Sequence, residues 1–282
     1  MGLEFRAEVD QTARMRTLLP ALLVLSLGLA CAHSEPIEAP APAPATPTAP
    51  VADSHATPAH QAVVAAADRS EADRAIDPGR KPAAFLDFLG VTPGMHVAEL
   101  MAGGGYTSEL LARAVAPTGV VYAENPQWVL KAFAEKPFTA RLAKPVMKNV
   151  TRLDRELDDP FPSDLHDLDL VVSNAIYHDT VWSNVDRARM NQAVFAALKP
   201  GGRYAICDSS AVPGHWLSDV KTLHRIDEQA VLQEVIAAGF QLRSRSDVLR
   251  NPADTRDWSA SPGAAGAKRG TSDRFCFSFV RP

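Results

Sequence analysis

The residues whose types and spacing indicate chemistry lie in one stretch, AELMAGGGYTSELLARAV, residues 98–115. Glu99 belongs to a short apolar run, and three consecutive glycines, Gly103, Gly104 and Gly105, separate that run from a helical pattern. Glycines at the end of a strand let the backbone approach a ligand that any Cβ would hold away. The helix that follows presents unpaired N–H groups and a partial positive charge. The stretch therefore predicts a cofactor-binding loop.

Acidic residues on either side of the glycines indicate which cofactor the loop would bind. Glu124 ends the next predicted strand, about 20 residues further on, where an acid accepts hydrogen bonds from both hydroxyls of a ribose. A dinucleotide loop has the pattern G-x-G-x-x-G, and Ser108 occupies the last of those positions here. Glu99 would also bring its charge towards a pyrophosphate. S-adenosylmethionine has no phosphate and carries cationic groups, so the sequence favours that cofactor.

These residues must be positioned by the elements around them. From about residue 62 strand and helix patterns alternate, which is typical of an α/β domain with a mainly parallel sheet. The last two strands are joined without a helical pattern, which predicts an antiparallel pair. The seven predicted strands are MHVAEL, GVVYAEN, NVTRL, LDLVVSNA, RYAICDSS, FQLRSRSDVL and SDRFCFSFVRP.

The run VAELMAGGGYTSELLA resembles motif I of the class I S-adenosylmethionine-dependent methyltransferases, which is an acid, an apolar residue and G-x-G-x-G. The resemblance covers about residues 70–282 and includes LKPGGRYAICD and the terminal strand pair. It implies a Rossmann-like three-layer sandwich with a seven-stranded, mainly parallel sheet of order 3-2-1-4-5-7-6 and strand 7 antiparallel. YHDTVWSNVDRARM, LHRIDEQAV and LRNPADTRDW are similar to a narrower group of bacterial predicted methyltransferases that are often exported. Met101 departs from the pattern, because it stands where the first glycine is usual.

The resemblance assigns roles in binding S-adenosyl-L-methionine by position. Glu99 would lie near the amino group of the cofactor, and Glu124 would hold the ribose hydroxyls. Asp154 would lie by the adenine amine, although the run DRELDD offers several acids, and an ordinary surface role explains Asp154 equally well. Ser173 ends strand four near the sulfonium. The implied cofactor-binding residues are Glu99, Ala102, Gly103, Gly104, Gly105, Glu124, Asn125, Asp154 and Ser173.

The candidate catalytic residues lie in SNAIYHD, residues 173–179, where such enzymes meet their substrate. Asn174 and Tyr177 share the spacing of the Asn-Pro-Pro-Tyr motif of amino- and amide-methyltransferases, although neither intervening residue is proline. His178 titrates near neutral pH and is the candidate base, and a surface histidine at a helix start with Asp179 as cap explains it equally well. The methyl acceptor is expected to be a small molecule. The eight histidines lack the paired spacings of zinc sites, so no metal site is predicted.

The N-terminal part predicts export. Residues 16–31, RTLLPALLVLSLGLAC, have the layout of a signal peptide, so residues 1–31 are assigned to it, with Met15 as the expected natural start. LGLAC resembles a lipobox, in which Cys31 would be lipidated. Ordinary cleavage near Ala30 or Ala32 and an uncleaved anchor are the alternatives. Residues 32–61 form an Ala/Pro-rich linker, and residues 62–282 form the methyltransferase-like domain. The expected location is the periplasm, and the lipid would be the only attachment to a membrane.

Several alternatives to this interpretation stay open. A net charge of −4 gives no basic surface for nucleic acid. Cys207 and Cys276 lie on neighbouring predicted strands, where two buried free thiols are the expected state and a disulfide is conceivable in an oxidising compartment. S-adenosylmethionine does not cross a bilayer unaided, so a non-catalytic exported binding protein on the same fold is the alternative to a methyltransferase. A dehydrogenase is the third hypothesis.

Overall fold

The computed structural model describes residues 56–282, so the predictions for residues 1–31 and for most of the 32–61 linker lie outside the described residues. Within that range the chain forms one seven-stranded sheet in the order β3-β2-β1-β4-β5-β7-β6. The strands β1 to β5 are parallel, and β7 is antiparallel to both of its neighbours. The predicted strand order and the antiparallel seventh strand are confirmed. The strands are β1 (His96–Leu100), β2 (Val120–Glu124), β3 (Val150–Leu153), β4 (Leu168–Asn174), β5 (Leu198–Ser209), β6 (Gln241–Ser246) and β7 (Arg274–Val280).

Helices precede the first strand and connect most of the others. The first helix begins at Pro58, inside the predicted linker, because the Thr57 side chain caps it by accepting from the His60 N–H. Ser70, Asp186 and Asp227 cap later helices in the same way, and a π-helical turn over Leu130–Ala134 joins α5 to α6. The helices are α1 (Pro58–Ala65), α2 (Glu71–Arg80), α3 (Pro82–Leu89), α4 (Tyr106–Val115), α5 (Gln127–Val129), α6 (Glu135–Leu142), α7 (Tyr177–Trp182), α8 (Arg187–Ala197), α9 (Val220–Leu223) and α10 (Glu228–Ala237).

The sheet lies between two apolar cores, as the predicted three-layer sandwich requires. Successive side chains of a strand point to opposite faces. On β4, Val171 packs in the core that includes residues of α8 and α10, whereas its neighbours Leu170 and Val172 pack in the core that includes residues of α3 and α4. Helices therefore cover both faces, and the carboxyl ends of the parallel strands are left at one edge. Among residues 56–282 no helix is both long and apolar enough to span a membrane.

Cys207 of β5 and Cys276 of β7 are directly opposite each other in the sheet, with Cα atoms 4.1 Å apart. The two residues form a disulfide, so the prediction of two free buried thiols is wrong. Antiparallel pairing brings directly opposed side chains close together, and only the register of β5 against β7 shows that Cys207 is directly opposite Cys276. The disulfide joins the last strand to the parallel part of the sheet.

Candidate functional site

The glycine loop joins β1 to α4 at the carboxyl edge of the sheet. Its backbone alternates, since Met101, Gly103 and Gly105 have positive φ angles of 46°, 57° and 78°. Glycine adopts this left-handed conformation without steric cost, whereas a residue with a Cβ is strained there. Met101 is thus a side-chain-bearing residue in a backbone conformation that favours glycine, at the position where the sequence departs from motif I.

The space around the glycines differs between the two ends of the loop. A Cβ on Gly105 would lie 3.0 Å from both Arg141 Cδ and Phe138 Cδ2, so α6 packs closely against this glycine. A Cβ on Gly103 would meet only the Phe133 ring, at 4.0 Å. Phe133 is 62% exposed, in the π-helical turn that follows β2. The Gly103 end of the loop is therefore open and has an aromatic ring beside it.

Side chains from two neighbouring segments hold the loop in place. Asn125 accepts from the Gly103 N–H at 2.7 Å and donates to the Gly103 carbonyl at 3.1 Å. Arg141 donates to the Gly104 carbonyl at 2.7 Å and pairs through both terminal nitrogens with Asp73. The structure therefore gives Asn125 the role of a loop clamp. Arg141 has the same role, and sequence reasoning missed it because it lies on a separate helix.

Glu124 ends β2 and is fully buried beside the loop. Its Oε2 atom accepts from the Met101 N–H at 2.9 Å, and Ala102 N–H donates to the Glu124 carbonyl at 2.8 Å. Its Oε1 atom has no donor among residues 56–282. Burial, reinforced by the charges of Glu156 and Asp154, raises the pKa of Glu124 well above its usual range. Glu124 thus presents one carboxyl oxygen that the described residues leave without a hydrogen-bond partner.

Glu99 is also buried, but its carboxylate has a partner. The Ser108 hydroxyl, in the first turn of α4, donates to Glu99 Oε2 at 2.5 Å. Burial raises the pKa of Glu99 to about 7, although hydrogen bonds from Ser108 and Thr107 oppose that shift. Ser108 is the residue in the place of a dinucleotide loop's last glycine. Its hydroxyl ties the acid at the end of β1 to the helix.

Two of the other expected cofactor-binding residues have different surroundings. Asp154 follows β3 at the same edge, and both of its carboxylate oxygens accept from the Arg152 guanidinium, at 2.6 and 3.0 Å. Arg152 in turn pairs with Glu135 of α6. Ser173 is fully buried in β4, between Leu100 and Ile206 of the neighbouring strands. Both carboxylate oxygens of Asp154 are therefore paired with Arg152, which supports its alternative surface role.

The expected catalytic residues Asn174 and Tyr177 lie in different environments. Asn174 is the last residue of β4, and its side-chain Oδ1 is buried without a donor among the described residues. The Tyr177 ring is fully buried in the core, where its hydroxyl donates to Glu234 at 2.9 Å and accepts from Asn191 at 2.9 Å. The structure makes Tyr177 a core residue, so its expected catalytic role is corrected. Only Asn174 of this pair keeps an unsatisfied polar atom.

His178 is buried at the start of α7, and a carboxylate holds it. Asp208, which is fully buried in β5, accepts from the His178 backbone N–H at 2.9 Å and lies 2.7 Å from His178 Nδ1. Burial disfavours the charged ring, but the Asp208 charge outweighs burial and raises the pKa of His178 to about 9. The alternative of a surface histidine is excluded. A raised pKa is unfavourable for the expected role of a general base at neutral pH.

Comparisons with known proteins agree with this architecture. A S-adenosylmethionine-dependent methyltransferase from Aquifex aeolicus matches 79% of this chain and 98% of its own, at 17% identity and a TM-score of 0.53. Geranyl diphosphate C-methyltransferase from Streptomyces coelicolor, solved with S-adenosyl-L-homocysteine, matches 80% of this chain and 89% of its own at 16% identity and a TM-score of 0.52. The cyclase SpnF matches 75% and 82% at 14% identity and a TM-score of 0.50. No family model matches the sequence.

These similarities define a fold. The chain has the Rossmann-like sheet of the class I methyltransferases, with the strand order that their resemblance implied. A cyclase shares that sheet, so the fold alone does not determine the reaction. The argument for a function therefore depends on the residues at the carboxyl edge of the sheet.

Proposed function

We propose that the protein binds S-adenosylmethionine at the glycine loop and transfers its methyl group to a small molecule. The observation that carries the proposal is the unsatisfied Oε1 atom of Glu124, beside a loop with an open end at Gly103. Buried polar atoms are almost always hydrogen-bonded, so an orphaned carboxylate oxygen indicates a missing donor. A ribose hydroxyl is such a donor, and Glu124 stands at the position where the family holds the ribose.

The residues that would hold the cofactor follow from this geometry. Gly103 and Gly104 would let its methionine part approach the backbone, and Asn125 and Arg141 would keep that backbone in position. The exposed Phe133 ring offers an apolar surface at the same end of the loop. When bound, S-adenosylmethionine supplies an electrophilic methyl group on a sulfonium, so the protein has to orient the acceptor and exclude water.

The acceptor would bind beside the end of β4. Asn174 has a buried Oδ1 atom without a donor, which is suited to accept a hydrogen bond from an N–H or O–H group of the acceptor. Methyl transfer is an in-line displacement that depends mainly on proximity and orientation. A positioning role for Asn174 is therefore sufficient, and neither Tyr177 nor His178 is needed as a base.

Calorimetric titration of the purified protein tests the cofactor assignment. We expect S-adenosylmethionine and S-adenosylhomocysteine both to bind, and Glu124→Gln to weaken both at least tenfold, because an amide cannot accept through both terminal atoms. Asp164→Asn is the matched acid-to-amide control, since Asp164 is exposed in the loop before β4, at the opposite edge of the sheet. Equal affinities in Glu124→Gln and the wild type would remove the ribose assignment.

The alternative, a non-catalytic binding protein, is separated from an enzyme by turnover. With a mixture of small metabolites present, the enzyme releases S-adenosylhomocysteine from bound S-adenosylmethionine, and Asn174→Ala is expected to slow that release with little effect on cofactor affinity. Cofactor binding without any release would favour the alternative.

We also propose that the protein is exported and anchored through a lipid on Cys31. The signal-like residues 16–31 support this, and so does the disulfide between Cys207 and Cys276, because disulfides persist in oxidising compartments. Labelling cells with a radioactive fatty acid tests it, with Cys31→Ser as the comparison. Export without label would indicate ordinary cleavage, and a cytoplasmic protein with reduced thiols would contradict export itself.

A further inference from the structure

Two histidines and an aspartate from separate segments meet near the end of β4. His178 and Asp179 begin α7, and His224 immediately follows α9. One ligand atom from each residue can be chosen so that all three lie within 4.8 Å of one another. His178 Nε2 lies 3.4 Å from Asp179 Oδ1, and His224 Nδ1 lies 3.9 Å from the same oxygen. The three side chains therefore surround one small volume.

The orientation of His178 is fixed by a buried carboxylate. Because Asp208 takes Nδ1, the Nε2 atom is the one directed towards Asp179. Asp208 also accepts from the backbone N–H groups of His178 and Ser209, so the carboxylate itself cannot rotate freely. A histidine that ligates a metal usually gives its other ring nitrogen to a carboxylate in this way, which fixes the ring and increases its basicity.

His224 has an unfavourable backbone conformation. Its φ angle is 48°, in the left-handed region, where the strain of a non-glycine residue is comparable in free energy to one hydrogen bond. The ring stacks on Trp182, with centroids 5.2 Å apart, and meets the His178 ring edge-on at 5.5 Å. Such conformations persist where the surroundings enforce them, and they cluster at functional sites.

The spacing and the chemistry both suit a metal ion. Ligands bonded to zinc at about 2.1 Å in a tetrahedron are about 3.4 Å apart, close to the two contacts of Asp179. Two imidazoles and one carboxylate are ligands that first-row transition metals prefer, in contrast to the all-oxygen sites of Mg²⁺. Among residues 56–282 the ion pairs of Asp179 are with His178 and His224, so no lysine or arginine occupies its carboxylate.

We propose that His178, Asp179 and His224 form a binding site for a divalent transition-metal ion, with Asp208 as the carboxylate that orients His178. Three protein ligands leave a fourth position open, as in sites where a metal also binds water or substrate. Two of its ligands, His178 and Asp179, belong to the segment that directly follows Asn174 and β4. Among the described residues, none of its ligands forms a hydrogen bond or an ion pair with the glycine loop, so metal binding can be measured separately from S-adenosylmethionine binding.

Spacing along the sequence gave no indication of this cluster. Two ligands are adjacent in the chain and the third comes from beyond β5, whereas the common zinc motifs place their ligands in pairs a few residues apart. Only the packing of α7 against α9 brings them together. The proposal therefore reverses the sequence-based expectation that the protein has no metal site.

Calorimetric titration of the full-length protein with ZnCl₂, after removal of metals with a chelator, tests the proposal. We expect one ion per chain with micromolar or tighter affinity, and at least a tenfold loss in His224→Gln and in Asp179→Asn. His166→Gln is the matched control: His166 and Asp167 are also an adjacent, paired His–Asp, but both side chains are more than two-thirds exposed. That variant should bind like the wild type.

Co²⁺ gives a second readout that does not depend on activity. A tetrahedral site with nitrogen and oxygen ligands is expected to give visible absorption bands in the wild type and in His166→Gln, and to lose them in His224→Gln. Unchanged circular dichroism must accompany each loss, so that unfolding is not mistaken for a missing ligand. No binding by the folded wild type, or binding that survives both ligand variants, would overturn the proposal. S-adenosylmethionine titration of the same preparations shows separately whether the proposed function holds.

Discussion

Met101 allows a direct test of the backbone conformation at the glycine loop. The residue is 7% exposed and belongs to the core that includes residues of α8 and α10, so any small replacement loses its packing, which costs about 2–5 kcal/mol for a buried methionine. That loss would hide the effect of the backbone. Comparing Met101→Ala with Met101→Gly removes the problem, because both variants lack the thioether chain and differ in one methyl group.

The backbone then determines which variant is more stable. At an ordinary position alanine is favoured over glycine by about 0.4–1 kcal/mol, because glycine has more freedom in the unfolded chain. At φ 46° the Cβ costs about 1–2 kcal/mol, which reverses the preference. We expect Met101→Gly to be more stable than Met101→Ala by about 0.5–1 kcal/mol. The same backbone preference explains why glycine is usual at this position in motif I.

Urea denaturation monitored by circular dichroism measures the difference, with Ala193→Gly as the control. Ala193 lies half-buried within α8, where glycine should cost about 1 kcal/mol relative to alanine. A Met101→Ala protein as stable as Met101→Gly, with the control behaving normally, would show that the backbone at residue 101 is not left-handed. The loop geometry argued above would then need to be revised.

Three further predictions concern stability. Burial raises the pKa of Glu99 to about 7 in the folded state, so the protein is most stable with respect to this group below about pH 4.5 and loses stability as pH rises through 7. Glu99→Gln should remove about 3 kcal/mol of this pH dependence of the free energy of unfolding, measured by chemical denaturation. Reduction of the Cys207–Cys276 disulfide, which spans 69 residues, should lower the free energy of unfolding by up to about 4 kcal/mol, and an unchanged midpoint in reductant would contradict this. Arg225 and Asp254 form a pair with both side chains fully buried. Asp254→Asn should cost about 3–5 kcal/mol in denaturation, because it leaves the guanidinium buried without a counter-charge.

The order of the strands could be predicted from the sequence because the evidence for it is local. Alternating strand and helix patterns, the glycines after β1 and the apolar runs of β4 and β5 each lie within one short segment. The resemblance to motif I then supplied the connection order, including the antiparallel β7. Even the departure at Met101 was visible as a residue type, although its positive φ was not.

The parts of the site that could not be predicted depend on contacts between distant segments. Tyr177 has the spacing of a catalytic tyrosine, but its hydroxyl is hydrogen-bonded to Glu234 and Asn191, which both lie on later helices. The state of Cys207 depends on the register of β5 against β7. In the same way, His178 acquires its properties from Asp208, which is thirty residues further along the chain. No local pattern encodes any of these partners.

Glu99 and Glu124 show how two similar acids at one edge of the sheet can have different functions. Both are buried and both have raised pKa values, but Ser108 satisfies Glu99, whereas Glu124 Oε1 has no donor among the described residues. Burial therefore favours the protonated form of Glu124 in the free protein. Hydroxyl donors and a cationic ligand favour its charged form instead, so cofactor binding should lower that pKa.

Linkage turns this difference into a measurement at near-neutral pH. If Glu124 holds the ribose, we expect S-adenosylmethionine binding to release protons from the protein, since binding would lower a pKa that burial raises. Titrations in phosphate and in Tris, whose ionisation enthalpies differ, give the number of protons from the change in observed heat. We expect release in the wild type and in Glu99→Gln, and close to none in any residual binding by Glu124→Gln. Equal release in wild type and Glu124→Gln would show that another group titrates, and the protonation change assigned here to Glu124 would then be wrong.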